Sequence, residues 1–191
     1  MPEPSPANSP PAIFADLLRE TQGPLFGFVR GLLGDPEQAR DVVQDVLVDA
    51  WRAARQGAPP FGKDCDAAAA RRWLFFVAYR SAASVVRRRR LISWEYLDPF
   101  NSIEADRFYE PAAFEDQVAE SDALHTILAS MTPQDVACLL LNIVQGFTSA
   151  EIAQIVDIAP EAAKKRLARA KQRLRAACFA QEAKMQERMA P

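Results

Sequence analysis

The stretch "PEAAKKRLARAKQRLR", beginning at Pro160, sets Lys164, Lys165, Arg166, Arg169, Lys171, Arg173 and Arg175 against a single acid, Glu161. Cations this dense on a helical period suit one task, replacing the counterions of a polyanion. Each neutralised DNA phosphate contributes about -0.9 to the slope of log affinity against log salt. Ala163, Leu167, Ala170 and Leu174 fall on one stripe that should pack inward, leaving Lys164, Lys165, Arg166, Arg169, Arg173 and Arg175 to reach outward. A coiled coil or a merely solvated helix fits less well, because the apolar stripe is short and Glu161 offers few compensating pairs. A second cationic stretch, "RRWLFFVAYRSAASVVRRRR", carries Arg71, Arg72, Arg80 and Arg87 to Arg90 without an acid and interleaves them with Phe75, Phe76 and Tyr79. Arginines among aromatic rings suit stacking on unpaired bases, at about 1–3 kcal/mol per base, although the same rings equally suit a core.

Before each of these stretches the sign reverses. "GDPEQARDVVQDVLVDAW" holds Asp35, Glu37, Asp41, Asp45 and Asp49 against Arg40, and from Leu91 to Asp122 nine acids oppose Arg107 alone. A formal net charge of -2 therefore hides four alternating blocks. One such run commonly marks a solvated face; four in alternation suggest two cationic surfaces joined by a polyanionic connector, an arrangement suited to touching nucleic acid twice.

The elements that must carry these residues are helical. Only 7 of 191 residues are Gly, Asn-Gly and Asp-Gly hairpin signals are missing, and Ala and Leu abound, so the expected fold class is all-α, with 49% hydrophobic residues to fill ordinary cores. "IFADLLRETQGPLFGFVRGLL" reads as two short helices or one kinked near Pro24. Asp35 is an N-cap with Pro36 at the first helical position of a helix to about Arg55, whose apolar face is Ala39, Val42, Val43, Val46, Leu47, Ala50 and Trp51. A further helix spans about Ala67 to Arg90, with Trp73, Leu74, Val77, Ala78, Ala82, Val85 and Val86 as its inward stripe. Thr132 with Asp135, and Thr148 with Glu151, read as capping boxes opening two later helices. The second of these precedes the basic helix across a short turn, the sequence form of a helix-turn-helix.

Other chemistries are disfavoured. Gly57, Gly62 and Lys63 have phosphate-loop spacing, but Asp64 stands where a Ser or Thr would hold magnesium and Pro59 and Pro60 lack N–H groups. Cys65, Cys138 and Cys178 are too scattered for a disulfide framework or metal cluster and suit a reducing cytoplasm. His125, the only histidine, has no nucleophile or metal partner, so neither an enzyme nor a cofactor is expected. "MPEPSPANSPPA" has no apolar run or basic leader, and nothing approaches the roughly 20 apolar residues of a membrane span.

In order, these motifs resemble the sigma factors of bacterial RNA polymerase, specifically the extracytoplasmic-function class, from about Phe14 to Cys178. The resemblance implies a disordered tail over 1–11, a region 2 domain over 12–92, an acidic linker over 93–121, a region 4 helix-turn-helix domain over 122–179 and a tail over 180–191. It implies a cytoplasmic alternative sigma factor that binds core RNA polymerase, recognises promoter DNA and promotes its melting. Core-polymerase contacts would come from Asp41, Gln44, Asp45, Val48, Asp49 and Trp51, docking on the coiled coil of the largest subunit, while the flap of the second-largest subunit is a further contact. Minus-ten DNA, read partly as a single strand with a base taken up by the loop from Gly57 to Asp66, would meet Phe61, Lys63, Arg71, Arg72, Phe76, Tyr79, Arg80, Arg87 and Arg88. Minus-thirty-five duplex would meet Glu161, Ala162, Lys164, Lys165, Arg166, Arg169 and Arg173. The linker would lie in the channel for RNA, an anti-sigma factor would hold the protein inactive, and no cofactor or membrane is involved.

This chain departs from the family pattern in several places: Asp157 stands where Gly is common in the turn, Ala159 where a Ser or Thr cap is usual, and Ser81 and Ser84 where Asn and Asp are frequent. The helix from Pro133 to Val144 also lacks a basic residue. A freestanding helix-turn-helix regulator, with an N-terminal domain for a protein or ligand, is the rival reading.

Overall fold

Among the described residues, apolar residues at three- and four-residue steps produce the helices α1 (Ala12–Leu33), α2 (Pro36–Arg55), α3 (Ala67–Tyr96), α4 (Pro133–Ile143), α5 (Ser149–Val156) and α6 (Pro160–Met189). The computed structural model describes residues 12–61, 66–96, 127, 128 and 130–189, and among these every regular element is helical. The expected fold class is therefore observed. The acidic connector beyond Tyr96, His125 and the N-terminal tail lie outside the described residues.

α1 is one helix with Pro24 inside it. The proline removes an N–H from the ladder, yet Phe14 and Leu17 before it and Leu25, Phe28, Val29 and Leu33 after it are all buried, so tertiary packing outweighs the missing bond. Gly34, at φ 72°, closes the helix, and the Asp35 carboxylate accepts hydrogen bonds from the N–H groups of Glu37 and Gln38, capping α2 as expected.

Both long basic helices outrun their expected ends. α3 continues from Arg90 to Tyr96, and α6 continues through most of the stretch assigned to a tail, to Met189. The reason is the same in both: "RRRRLISWEY" and "CFAQEAKMQERM" contain no Gly or Pro, and the second is rich in strong helix formers.

In the C-terminal part, Thr148 and Glu151 form the complete reciprocal capping box, whereas Thr132 accepts from the Asp135 N–H and the Asp135 carboxylate turns elsewhere. Asp157 adopts the left-handed conformation, φ 56° and ψ 57°, and three residues separate α5 from α6.

α1, α2 and α3 pack on one another, as do α4, α5 and α6; α1 also meets α4, and α3 meets α5. One buried cluster runs through both groups, from Phe14, Phe28 and Phe75 to Leu141, Phe147, Ile152 and Leu167. A smaller cluster joins Leu128, Met131, Val136, Leu139 and Ala170 beneath α6. No helix among the described residues is long and apolar enough to cross a membrane.

Candidate nucleic-acid interface

Three charged helix faces carry the candidate residues. On α2 the inward side is Ala39, Val42, Val43, Val46, Ala50 and Ala54, which leaves Asp41, Gln44, Asp45, Val48 and Asp49 exposed along the opposite side. Val48 is 46% exposed, an apolar spot among acids. Trp51, expected on the apolar face, is 41% exposed instead, with the Arg55 guanidinium 4.6 Å above its ring. The ring lies at the helix edge, one residue from Arg52, which pairs with Asp49 at 3.3 Å.

α3 divides its candidates by depth. Arg80, Ser84, Arg87 and Arg88 recur at i, i+4, i+7 and i+8, and all are exposed. Phe76 is half-buried with Arg80 5.5 Å over its ring. Tyr79 is 9% exposed, and burial pushes its phenol above its ordinary pKa against a hydrogen-bonding influence from Gln134. In this arrangement Tyr79 cannot stack on a base. Phe61 is corrected more firmly: at 1% exposure it sits edge-on between Phe14 and Trp73, at 5.3 and 5.1 Å, and is a core residue. Lys63 lies outside the described residues.

Arg71 and Arg72 are held by the C-terminal helices. Arg71 Nη2 donates to the Gln145 backbone oxygen at 2.9 Å and to Gln145 Oε1 at 3.2 Å, while its guanidinium lies 4.3 Å from the Phe147 ring and 5.3 Å from Phe75. The Gln145 amide donates in turn to the Pro24 carbonyl at 3.3 Å, so one buried side chain ties α1, α3 and the turn after α4 together. Burial lowers the Arg71 pKa, against the raising influence of Glu151. Arg72 pairs with Glu151 at 3.4 Å. The Glu151 carboxyl is itself held below its usual range, first by the Thr148 N–H, then by the Thr148 hydroxyl. The sequence reading missed Gln145 and Phe147, and took Glu151 only as a cap.

On α6 the inward stripe is as expected, with Ala163 and Ala170 at 0%, Leu167 at 9% and Leu174 partly buried. Glu161, Lys164, Lys165 and Arg169 are exposed, and Ala162 is half-buried. Arg166 and Arg173 do not reach outward freely. Arg166 Nη1 donates to Asp135 Oδ1 at 3.1 Å, and Arg173 Nη1 lies 3.6 Å from Asp135 Oδ2. Their positions beside the buried stripe bring them within reach of α4, which the helical period alone does not reveal.

Beside Asp135 sits Cys138, fully buried, its thiol pushed up to about 11 by burial and then by the Asp135 charge. Together the site offers a basic strip on α3, a basic face on α6 and an acidic face on α2, and no group of His, Cys, Asp and Glu placed to hold a metal ion is found among the described residues. Arginine and lysine at such spacings bind phosphate, and exposed Asp and Val suit a protein surface.

Comparison with known proteins matches residues 17–92 to Sigma-70 region 2 and residues 121–174 to Sigma-70, region 4. A relative in Mycolicibacterium vanbaalenii, described as the ECF RNA polymerase sigma factor SigK, is 27% identical over 143 residues, covering 73% of this chain and 68% of the relative. Among solved structures, the sigma factor RpoE in complex with the anti-sigma factor NepR from Bartonella quintana superposes with a TM-score of 0.67 at 20% identity, over 87% of this chain and 97% of that one. CnrH, solved in complex with the cytosolic domain of CnrY, gives 0.58 at 21% identity, over 91% and 92%.

Proposed function

Because this chain belongs to the extracytoplasmic-function class of bacterial RNA polymerase sigma factors, we propose that it binds core RNA polymerase, directs it to promoter DNA and assists melting. The observation that carries the reading is the separation of two exposed cationic faces, Arg80–Arg87–Arg88 on α3 and Lys164–Lys165–Arg169 on α6, from the exposed acidic face of α2.

Each face takes a role by its chemistry. Asp41, Gln44, Asp45, Val48, Asp49 and Trp51 present acids around an apolar spot to a basic protein surface, the coiled coil of the largest polymerase subunit. Arg80, Arg87 and Arg88 grip phosphates of the minus-ten element, and Phe76 stacks on an unpaired base. Glu161, Lys165 and Arg169 face base edges of the minus-thirty-five duplex, an acid suiting the cytosine amino group and cations the guanine edge. Unstacking a base costs a few kcal/mol, which stacking and phosphate contacts offset, so melting needs no chemical step or cofactor.

Arg71 and Arg72 can join the minus-ten contacts only when Gln145, Phe147 and Glu151 move away, so the two helical groups part on the polymerase. In the cytoplasm an anti-sigma protein is the expected antagonist, in keeping with the RpoE–NepR relative. Run-off transcription with purified core polymerase and a promoter selected from a random library tests the proposal. A promoter-specific start dependent on this protein is expected; DNA binding without any such transcript would favour a freestanding helix-turn-helix regulator.

A further inference from the structure

Asp135 is the buried charge that the proposed function leaves unused. It stands in the first turn of α4, its side chain 9% exposed, with one carboxylate oxygen toward Arg166 and the other toward Arg173. Those arginines are seven residues apart on α6, a rise of about 10 Å, so both side chains must lean along the helix to meet one carboxylate. Their neighbours Lys164, Lys165 and Arg169 are exposed, and none of them forms an ion pair among the described residues. The basic helix is thereby divided into held and free cations.

We infer that Asp135 is a positioning residue for DNA recognition: it withholds Arg166, and in part Arg173, from phosphate and base edges, and so decides which side chains of α6 face the duplex. The inference rests on the reading of α6 as the reader of the minus-thirty-five element. A phosphate competing for Arg166 would have to leave a buried carboxylate without its partner, a costly exchange that an exposed pair would not impose. Arg173 is 56% exposed and its contact is longer, so it is the more easily released of the two. Two cations fewer against phosphate means weaker sequence-independent binding. The base-facing set narrows to Glu161, Lys165 and Arg169, and specificity rises relative to bulk affinity.

The test uses polymerase holoenzyme reconstituted with the full chain. Its probes are a selected promoter fragment and a random-sequence duplex of equal length, titrated across a salt series. Asp135→Asn should steepen the salt slope by about 0.9 to 1.8, one or two phosphates' worth, and tighten the random duplex more than the promoter. Arg166→Gln should leave the wild-type slope nearly unchanged, yet remove about 0.9 when added to Asp135→Asn. A brace without influence on DNA would lower the thermal midpoint and leave every slope alone, and that result would overturn the inference. So would a slope flattened by about 0.9 in Arg166→Gln alone, which would show Arg166 already on a phosphate and needs no change at Asp135. Wild-type holoenzyme with no preference for the promoter would remove the reading of α6 itself; preference with unmoved slopes would remove only the role of Asp135.

Discussion

Leu140 of α4 packs directly on Gly31 of α1, so closely that a Cβ at that glycine would come within 2.6 Å of Leu140 Cδ1. The glycine allows α1 and α4 to approach closely at this point. Leu140 can give way to one methyl group, but a longer side chain would press the groups apart. Gly31→Gln should therefore weaken closure by about 1–3 kcal/mol, the usual cost of overpacking, while favouring α1 itself. Cys138 reports the change in a Cys65→Ser, Cys178→Ser background: its labelling should accelerate about fivefold to a hundredfold, at about 1.4 kcal/mol per decade, with far-ultraviolet dichroism retained. Unchanged labelling would mean that this contact does not govern closure.

Phe61 separates a core role from a DNA role. Truncation to Ala removes edge-on contacts with Phe14 and Trp73 and should cost about 3–5 kcal/mol in denaturant unfolding. A variant of wild-type stability that failed only in promoter melting would return Phe61 to the DNA.

The α2 face makes a prediction about protein binding alone. Reversing Asp45 and Asp49 to Lys leaves buried residues untouched, because both acids are exposed. Affinity for core polymerase should fall at least tenfold, since like charges brought together across an interface cost several kcal/mol. Competition against a labelled wild-type chain measures it, and equal affinity would move the docking face elsewhere.

Glu151 supplies a pH dependence. Its folded pKa is depressed by the Thr148 cap and the Arg72 pair, so the stability it contributes is present above the unfolded value of about 4.3 and is lost as pH falls through the lower folded value. Thermal midpoints should decline across that acid window. Glu151→Gln, which keeps the shape of the capping box, should flatten the part of the decline due to this group; an unaltered profile would assign the acid sensitivity to other carboxylates.

Local signals were legible in the sequence wherever one segment contains both partners. Asp35 before Pro36, Thr148 with Glu151, and the inward stripe of α6 are of this kind, and each appears in the structure as read. Asp157 takes the left-handed conformation that the Gly common at this turn would supply, because Asp tolerates that region better than most residues with a Cβ. What escaped were pairings across the fold. Arg166 meets Asp135 from 31 positions away and Arg71 meets Gln145 from 74, and no periodicity encodes such distances. Trp51 was misplaced for a subtler reason: the helical period gives its side of α2, but only the neighbouring helices determine where that side meets solvent.

The left-handed turn at Asp157 has a mechanical consequence. α6 is 30 residues of continuous helix, a rod about 45 Å long, and the turn lies just before it. If the rod pivoted there by ten degrees, its far end would travel about 8 Å, more than one helical pitch. A glycine would widen the range of angles available at that pivot, whereas aspartate carries a Cβ that narrows it. The accuracy with which the whole rod is aimed thus depends on the backbone stiffness of one exposed residue, reinforced by the packing of Ala163, Leu167 and Ala170 just beyond it.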